Sequence, residues 1–119
     1  MAKITLRRGD VCLVNFDPTV GSEIKKTRPA MVIQNNVANQ YSPIVIVAAI
    51  SSKFDDELYP TEILIRAGEA GLKQDSVVLL NQIRSIDRQR ATKRIGKVSE
   101  MTLKRADTAI KISLGLIEI

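Results

Sequence analysis

Over the first two-thirds of the chain, apolar residues either alternate with polar ones or run together over a few positions between Pro, Gly and Asn punctuation, which predicts short β-strands. Asp10–Phe16 sets Val11, Leu13 and Asn15 on one face and Cys12, Val14 and Phe16 on the other. Pro29–Gln34 reads as a second strand, ended by Asn35-Asn36. Pro43–Ile50 is unbroken apolar sequence after its proline and reads as a central strand buried on both faces. Thr61–Arg66 follows, then Ser76–Ile86, and a short strand around Arg94–Val98. In Ser76–Ile86 a strict two-residue period puts Val77, Leu79, Asn81, Ile83 and Ser85 on one face. Val78, Leu80, Gln82, Arg84 and Ile86 fall on the other. Asp17–Glu23, Ser51–Pro60 and Gly68–Gln74 read as the connecting loops.

Near the C-terminus the period changes. Ser99 is a candidate N-cap with Glu100 in the first turn, and Leu103, Ala106, Ile110, Leu114 and Ile117 recur at helical spacing. Strands followed by one amphipathic helix predict an α+β fold, a small barrel or half-closed sheet with the helix packed against it. At 119 residues the chain is read as a single domain, 1–119.

Composition narrows the chemistry. The chain has no histidine, which excludes a Ser-His-Asp triad, a Cys-His pair and a His-containing zinc site. Its one cysteine, Cys12, cannot form an intramolecular disulfide and is read as a small buried hydrophobe. Four aromatics, Phe16, Tyr41, Phe54 and Tyr59, are too few for a broad base-stacking platform. The uncharged stretch Asn35–Ser52 is too polar to span a membrane. Met1–Asp10, with Lys3, Arg7, Arg8 and Asp10, lacks the apolar stretch of a signal peptide, so a cytoplasmic protein is expected. The net charge is +5, and Arg84–Arg105 alone carries eight basic residues against two acidic ones. Such a run is either a solvated face or a surface for a polyanion, which nucleic acid would satisfy.

Several stretches, in unbroken order over nearly the whole chain, resemble the MazF/PemK (Kid) family of toxin endoribonucleases. They are Gly9-Asp10-Val11, Asp17-Pro18 with Gly21-Ser22-Glu23, Arg28-Pro29 leading into Val32-Ile33, Ile46–Ser51, Asp75-Ser76-Val77 and Gln82–Asp87. The resemblance implies an SH3-like β-barrel with a C-terminal helix, assembled as a homodimer. It implies cleavage of single-stranded RNA at specific sequences without a metal or other cofactor, leaving 2′,3′-cyclic phosphate and 5′-hydroxyl ends, and inhibition by a cognate antitoxin. An antitoxin that competes with RNA for a basic surface is expected to offer an acidic, partly apolar segment. Two non-catalytic alternatives share such a fold: a gyrase binder of the CcdB kind and a basic RNA-binding SH3-like domain.

On this resemblance Arg28 matches the catalytic arginine. Its guanidinium suits a non-bridging phosphoryl oxygen and is too basic to act as a general base at neutral pH. Ser51, at the end of the buried strand, stands where threonine is frequent in the family and keeps the hydroxyl. Glu23 matches an acidic position of the family and could take the proton of the attacking 2′-hydroxyl or hold Arg28 in place. Kid-type members use an arginine and an aspartate where this chain has Leu79 and Asn81, and a histidine where it has Ser22. The chain therefore looks closer to the arginine-plus-hydroxyl variety. Ser22, Lys25, Lys26, Lys53, Asn81, Gln82 and Arg84 are candidate RNA contacts beside these positions. Phe54 and Tyr59 could stack on bases or simply pack beneath their loop. Arg88–Lys97 lies further along and would serve the substrate's flanks.

Overall fold

The computed structural model describes residues 4–119; Lys3 and the start of the N-terminal segment lie outside them. Six strands form one antiparallel sheet: β1 (Asp10–Asn15), β2 (Thr27–Val32), β3 (Ile44–Ser51), β4 (Glu62–Ile65), β5 (Ser76–Asp87) and β6 (Ala91–Lys97). Their order is β4-β5-β3-β2-β1-β6, so β3, the most apolar segment, is interior as expected. Helix α1 (Asn36–Tyr41) joins β2 to β3, and α2 (Glu100–Ser113) follows β6. The fold is α+β, an antiparallel sheet carrying a C-terminal helix. No helix among the described residues is long and apolar enough to cross a membrane.

Each face of the sheet has its own core. On one, Val11, Met31, Ala48, Ile50, Val78 and Leu80 pack against Val98, Ala106 and Ala109 at and within α2. On the other, Cys12, Val14, Ala30, Val32, Val45, Val47 and Ile86 lie under Leu6 and Phe16, with Ile24 packed alongside. The alternation in β1 follows the sequence pattern, Val11 going to the first core and Cys12 and Val14 to the second.

β5 departs from its two-residue period. Val78 pairs with Ile50 and Ile83 with Ala48, so four residues of β5, Leu79 to Gln82, stand against the single Ala49. The excess of three is odd, and an odd insertion reverses which face each later side chain takes. Val78 and Leu80 therefore face the helix-side core, whereas Ile83, not Gln82, continues that face. Arg84 and Ile86 pair with Val47 and Val45 on the opposite face.

The two edge strands, β4 and β6, are not hydrogen-bonded to each other. A 3-10 turn, Glu69–Gly71, packs on β6 between them. A Cβ on Gly96 would lie 2.3 Å from the Ala70 carbonyl carbon, and one on Gly71 would lie 2.2 Å from the Ile95 oxygen. Only glycine permits backbone to meet backbone this closely. Glu69 extends the join to the helix, its carboxylate accepting from the Thr102 hydroxyl at 2.8 Å and the Ser99 N–H at 3.2 Å.

Three local features differ from the sequence reading. The segment after Asn35 is a helix because the Asn35 side chain caps it, accepting from the Ala38 N–H at 2.8 Å. β2 starts at Thr27 rather than Pro29, which places Arg28 inside the strand. Helix α2 starts at its Ser99 cap but stops at Ser113, where the Leu114, Gly115 and Leu116 amides turn back onto the last carbonyls. Leu114 and Ile117 consequently leave the apolar stripe and are 61% and 43% exposed.

Burial, reinforced by the neighbouring Asp10 carboxylate and opposed by Arg94, pushes the Cys12 thiol up to about 11 from 9.0. Native protein is expected to resist thiol reagents at pH 8 and to expose one reactive thiol on denaturation. Above pH 9 the unfolded chain releases this proton before the folded one. The stability it contributes is thus complete below 9 and lost as pH rises to about 11. Denaturant titrations should show a fall over that window that is missing in Cys12→Ala. Gly96→Ala should destabilise the fold by about 1–3 kcal/mol through the clash with Ala70, measured by the same titrations.

Candidate functional site

The loop between β1 and β2 carries Glu23 and is closed at its base. The Phe16 N–H donates to the Lys26 carbonyl at 3.0 Å, and the Lys26 N–H to Asp17 Oδ1 at 3.0 Å. At the tip, the Glu23 N–H bonds the Val20 carbonyl at 3.2 Å, and the Glu23 carboxylate accepts the Val20 N–H in return. The Glu23 side chain stays exposed, and no ion pair among the described residues joins it to Arg28. That leaves no sign of the orienting role considered for Glu23 from sequence.

Arg28 and Ser51 end adjacent strands. The β2–β3 ladder ends where Ala30 pairs with Ala49, and Arg28 and Ser51 each lie two residues beyond that pair on their own strands. Arg28 pairs with Val14, a residue of the loop-side core, so it belongs to the same face as Val14 and Ala30. Its Nε donates to the Lys25 carbonyl at 3.3 Å, and the rest of the exposed guanidinium bonds no described residue. The Ser51 hydroxyl accepts the Lys53 N–H and donates to the Lys53 carbonyl, both at 3.1 Å, which fixes Lys53 beside it.

The face reversal in β5 turns Gln82 and Arg84 toward the loop. Gln82 Oε1 accepts the Ile24 N–H at 2.7 Å, and an Arg84 amino group donates to the Phe16 carbonyl at 2.6 Å. Between loop and strand lies a groove of about 350 Å³ lined by Phe16, Ser22, Glu23, Ile24, Asn81, Gln82, Ile83 and Arg84. The fold thus brings Ser22, Glu23, Asn81, Gln82 and Arg84 into one groove. Arg28 and Ser51 lie outside its lining, on neighbouring strands and each two residues beyond the Ala30–Ala49 pair. Lys25 and Lys26 are exposed on the loop, while Lys53, Phe54 and Tyr59 are exposed on the β3–β4 connection. Tyr59 is 66% and Phe54 37% exposed, so neither is a core residue beneath its loop.

One participant escaped the sequence reading. Arg90 donates to the carbonyls of Asn15, at 3.0 Å, and Asp17, bracing the start of the loop. No local pattern marks it, because its partners lie more than seventy residues away. Arg88 likewise reaches the carbonyls of Ile4 and Asn39, and Arg94 pairs with the buried Asp10 at 3.2 Å. Much of the basic run is therefore structural. No three His, Cys, Asp or Glu side chains converge among the described residues in a way that could hold a metal ion.

Residues 7–114 match the family described as PemK-like, MazF-like toxins of type II toxin–antitoxin systems. The chain belongs to this family. Among relatives of this PemK/MazF-like toxin, the endoribonuclease EndoA of Bacillus subtilis (strain 168) is 43% identical over 113 residues, covering 95% of this chain and 97% of EndoA. The endoribonuclease MazF of Staphylococcus saprophyticus is 43% identical over 111 residues, covering 93% and 92% of the two chains. The crystal structure of MazF from Deinococcus radiodurans shares the fold, with a TM-score of 0.81 at 24% identity over 94% of this chain and 98% of that one. A mycobacterial endoribonuclease solved in complex with its cognate antitoxin aligns with a TM-score of 0.76 at 18% identity, over 96% and 99%.

Proposed function

We propose that this PemK/MazF-like toxin is a sequence-specific endoribonuclease that cuts single-stranded RNA without a metal and is restrained by a cognate antitoxin. Its relatives at 43% identity are endoribonucleases. The observation that carries the reading is that Arg28 and Ser51 stand on adjacent strands, each two residues beyond the Ala30–Ala49 pair and on the same face as those alanines, at the end of the loop that carries the exposed Glu23. In the reaction the ribose 2′-oxygen attacks the neighbouring phosphorus, and the bond to the 5′-oxygen breaks. The products are a 2′,3′-cyclic phosphate and a 5′-hydroxyl.

Charge builds on the non-bridging oxygens as the new bond forms. Arg28 stabilises it with two donors, and the Ser51 hydroxyl turns from the Lys53 carbonyl to give a third. Glu23 takes the proton of the 2′-hydroxyl; with no histidine in the chain, it is the carboxylate placed at this groove. A proton must then reach the departing 5′-oxygen, and solvent supplies it. Lys25, Lys26 and Lys53 hold flanking phosphates, Ser22 and Asn81 line the groove, and Phe54 and Tyr59 offer stacking surfaces. We place the protein in the cytoplasm as a homodimer. Its antitoxin would bring an acidic segment with apolar anchors to the same lysines.

Purified protein incubated with a long RNA in excess EDTA should cut it and leave cyclic phosphate ends. Loss of cleavage in chelator with recovery in magnesium would overturn the mechanism. Arg28→Ala should slow cleavage by on the order of a hundredfold or more, and Ser51→Ala by less, because water can replace the hydroxyl. An intact Arg28→Ala protein with undiminished activity would remove Arg28 from the site. RNA affinity should fall with salt with a log–log slope of about −0.7 for each phosphate contact. Lys25→Glu combined with Lys26→Glu should weaken RNA and antitoxin binding together, as read by titration of each ligand. Retained antitoxin affinity would assign the two to different surfaces. Light scattering at micromolar concentration should give the mass of a dimer.

A further inference from the structure

The loop that carries Glu23 is gripped from outside by side chains that reach its peptide atoms. Gln82 holds the Ile24 N–H at 2.7 Å, Arg84 holds the Phe16 carbonyl at 2.6 Å, and Arg90 holds the carbonyls of Asn15 and Asp17. The Gln82 bond is the informative one. The Ile24 N–H belongs to the peptide unit that joins Glu23 to Ile24, so fixing it fixes the plane from which Glu23 projects. Among the described residues the tip has otherwise only its own local bonds between Val20 and Glu23, and Val20 is 79% exposed.

Resting on the endoribonuclease reading, we infer that Gln82 and Arg84 are positioning residues that set Glu23 against the Arg28–Ser51 pair, and are not themselves readers of the RNA. The chemistry of the contacts separates the two roles. The Ile24 N–H needs only an acceptor, so the glutamine carbonyl oxygen is used and its amide hydrogens are not required. A carboxylate in the same place would accept the bond equally well. A side chain facing a polyanion would instead be harmed by a negative charge. The Phe16 carbonyl likewise needs only a donor, which lysine retains and methionine lacks.

The experiment is amide hydrogen exchange on the RNA-free protein, followed by NMR. Gln82→Leu should speed exchange at Ile24 by about tenfold or more, the loss expected for one half-buried hydrogen bond. Gln82→Glu should exchange as the parent does. Unchanged exchange in Gln82→Leu, or equally fast exchange in Gln82→Glu, overturns the inference. In cleavage assays kcat should fall about tenfold in Gln82→Leu with KM unchanged. If Gln82→Leu instead raises KM and leaves kcat unchanged, Gln82 contacts RNA directly and the inference fails. Should Gln82→Leu not fold, trypsin cleavage after Lys25 and Lys26 gives a second reading, expected to accelerate in Arg84→Met and to stay at the parent rate in Arg84→Lys. An equal rate in Arg84→Met and the parent counts against the inference. The exchange and proteolysis results stand even if the parent protein cuts no RNA, in which case the endoribonuclease reading fails and the clamp does not.

Discussion

Much of this molecule depends on an odd count in one strand. Where β5 passes Ala49 it carries three more residues than β3 offers partners for, and the side-chain alternation inverts. The even-numbered positions therefore change cores along the strand. Its first half, through Val78 and Leu80, seals the sheet against α2, and its second half places Ile86 in the opposite core. The same inversion delivers Gln82 and Arg84 to the β1–β2 loop instead of burying them under the helix. An even count would have set two long polar side chains among Ile50, Leu80 and Ala106, where neither amide nor guanidinium would find enough partners.

The elements written in strong periodicity were legible from sequence: β1 and β3, the helix start at Ser99, and the α+β class. What stayed hidden has physical causes. A bulge leaves no mark in composition, since Asn81 and Gln82 are acceptable on either face of a strand. Helix α1 is six residues long and rests on the Asn35 cap, too short for a period to show. The helix end was misplaced because Leu114 and Ile117 continue the apolar spacing, although both are exposed rather than packed in the core. At the site, residue identities were visible through the family resemblance, and the pairing of β2 with β3, close in sequence, brings the strands of Arg28 and Ser51 together. The Gln82–Ile24 bond spans 58 residues and could be seen only in three dimensions.

The arrangement also redistributes the positive charge. Counted along the chain, the basic residues concentrate after Arg84, yet Arg84, Arg88 and Arg90 are bound to backbone carbonyls, and Arg105 caps the Leu64 carbonyl on edge strand β4 at 2.6 Å. Arginine's planar fork suits such work, reaching two acceptors from one head group. Cations near the proposed reaction centre come from a smaller cluster early in the sequence, Lys25, Lys26, Arg28 and Lys53, in which Arg28 bonds the Lys25 carbonyl and Lys53 bonds Ser51. Charge density along a sequence is thus a poor map of where a polyanion lies.

Because Gln82, Arg84 and Arg90 grip peptide oxygens and nitrogens, the side chains of the loop take no part in those four contacts. Thr19, Val20, Ser22, Ile24 and Lys25 can be exchanged without breaking any of them. The frame that places the loop and the lettering on its surface are chemically separate. A scaffold built this way can drift toward a different recognition sequence, or toward a different inhibitor, by rewriting exposed loop residues one at a time. Its catalytic geometry would be inherited unchanged through each step.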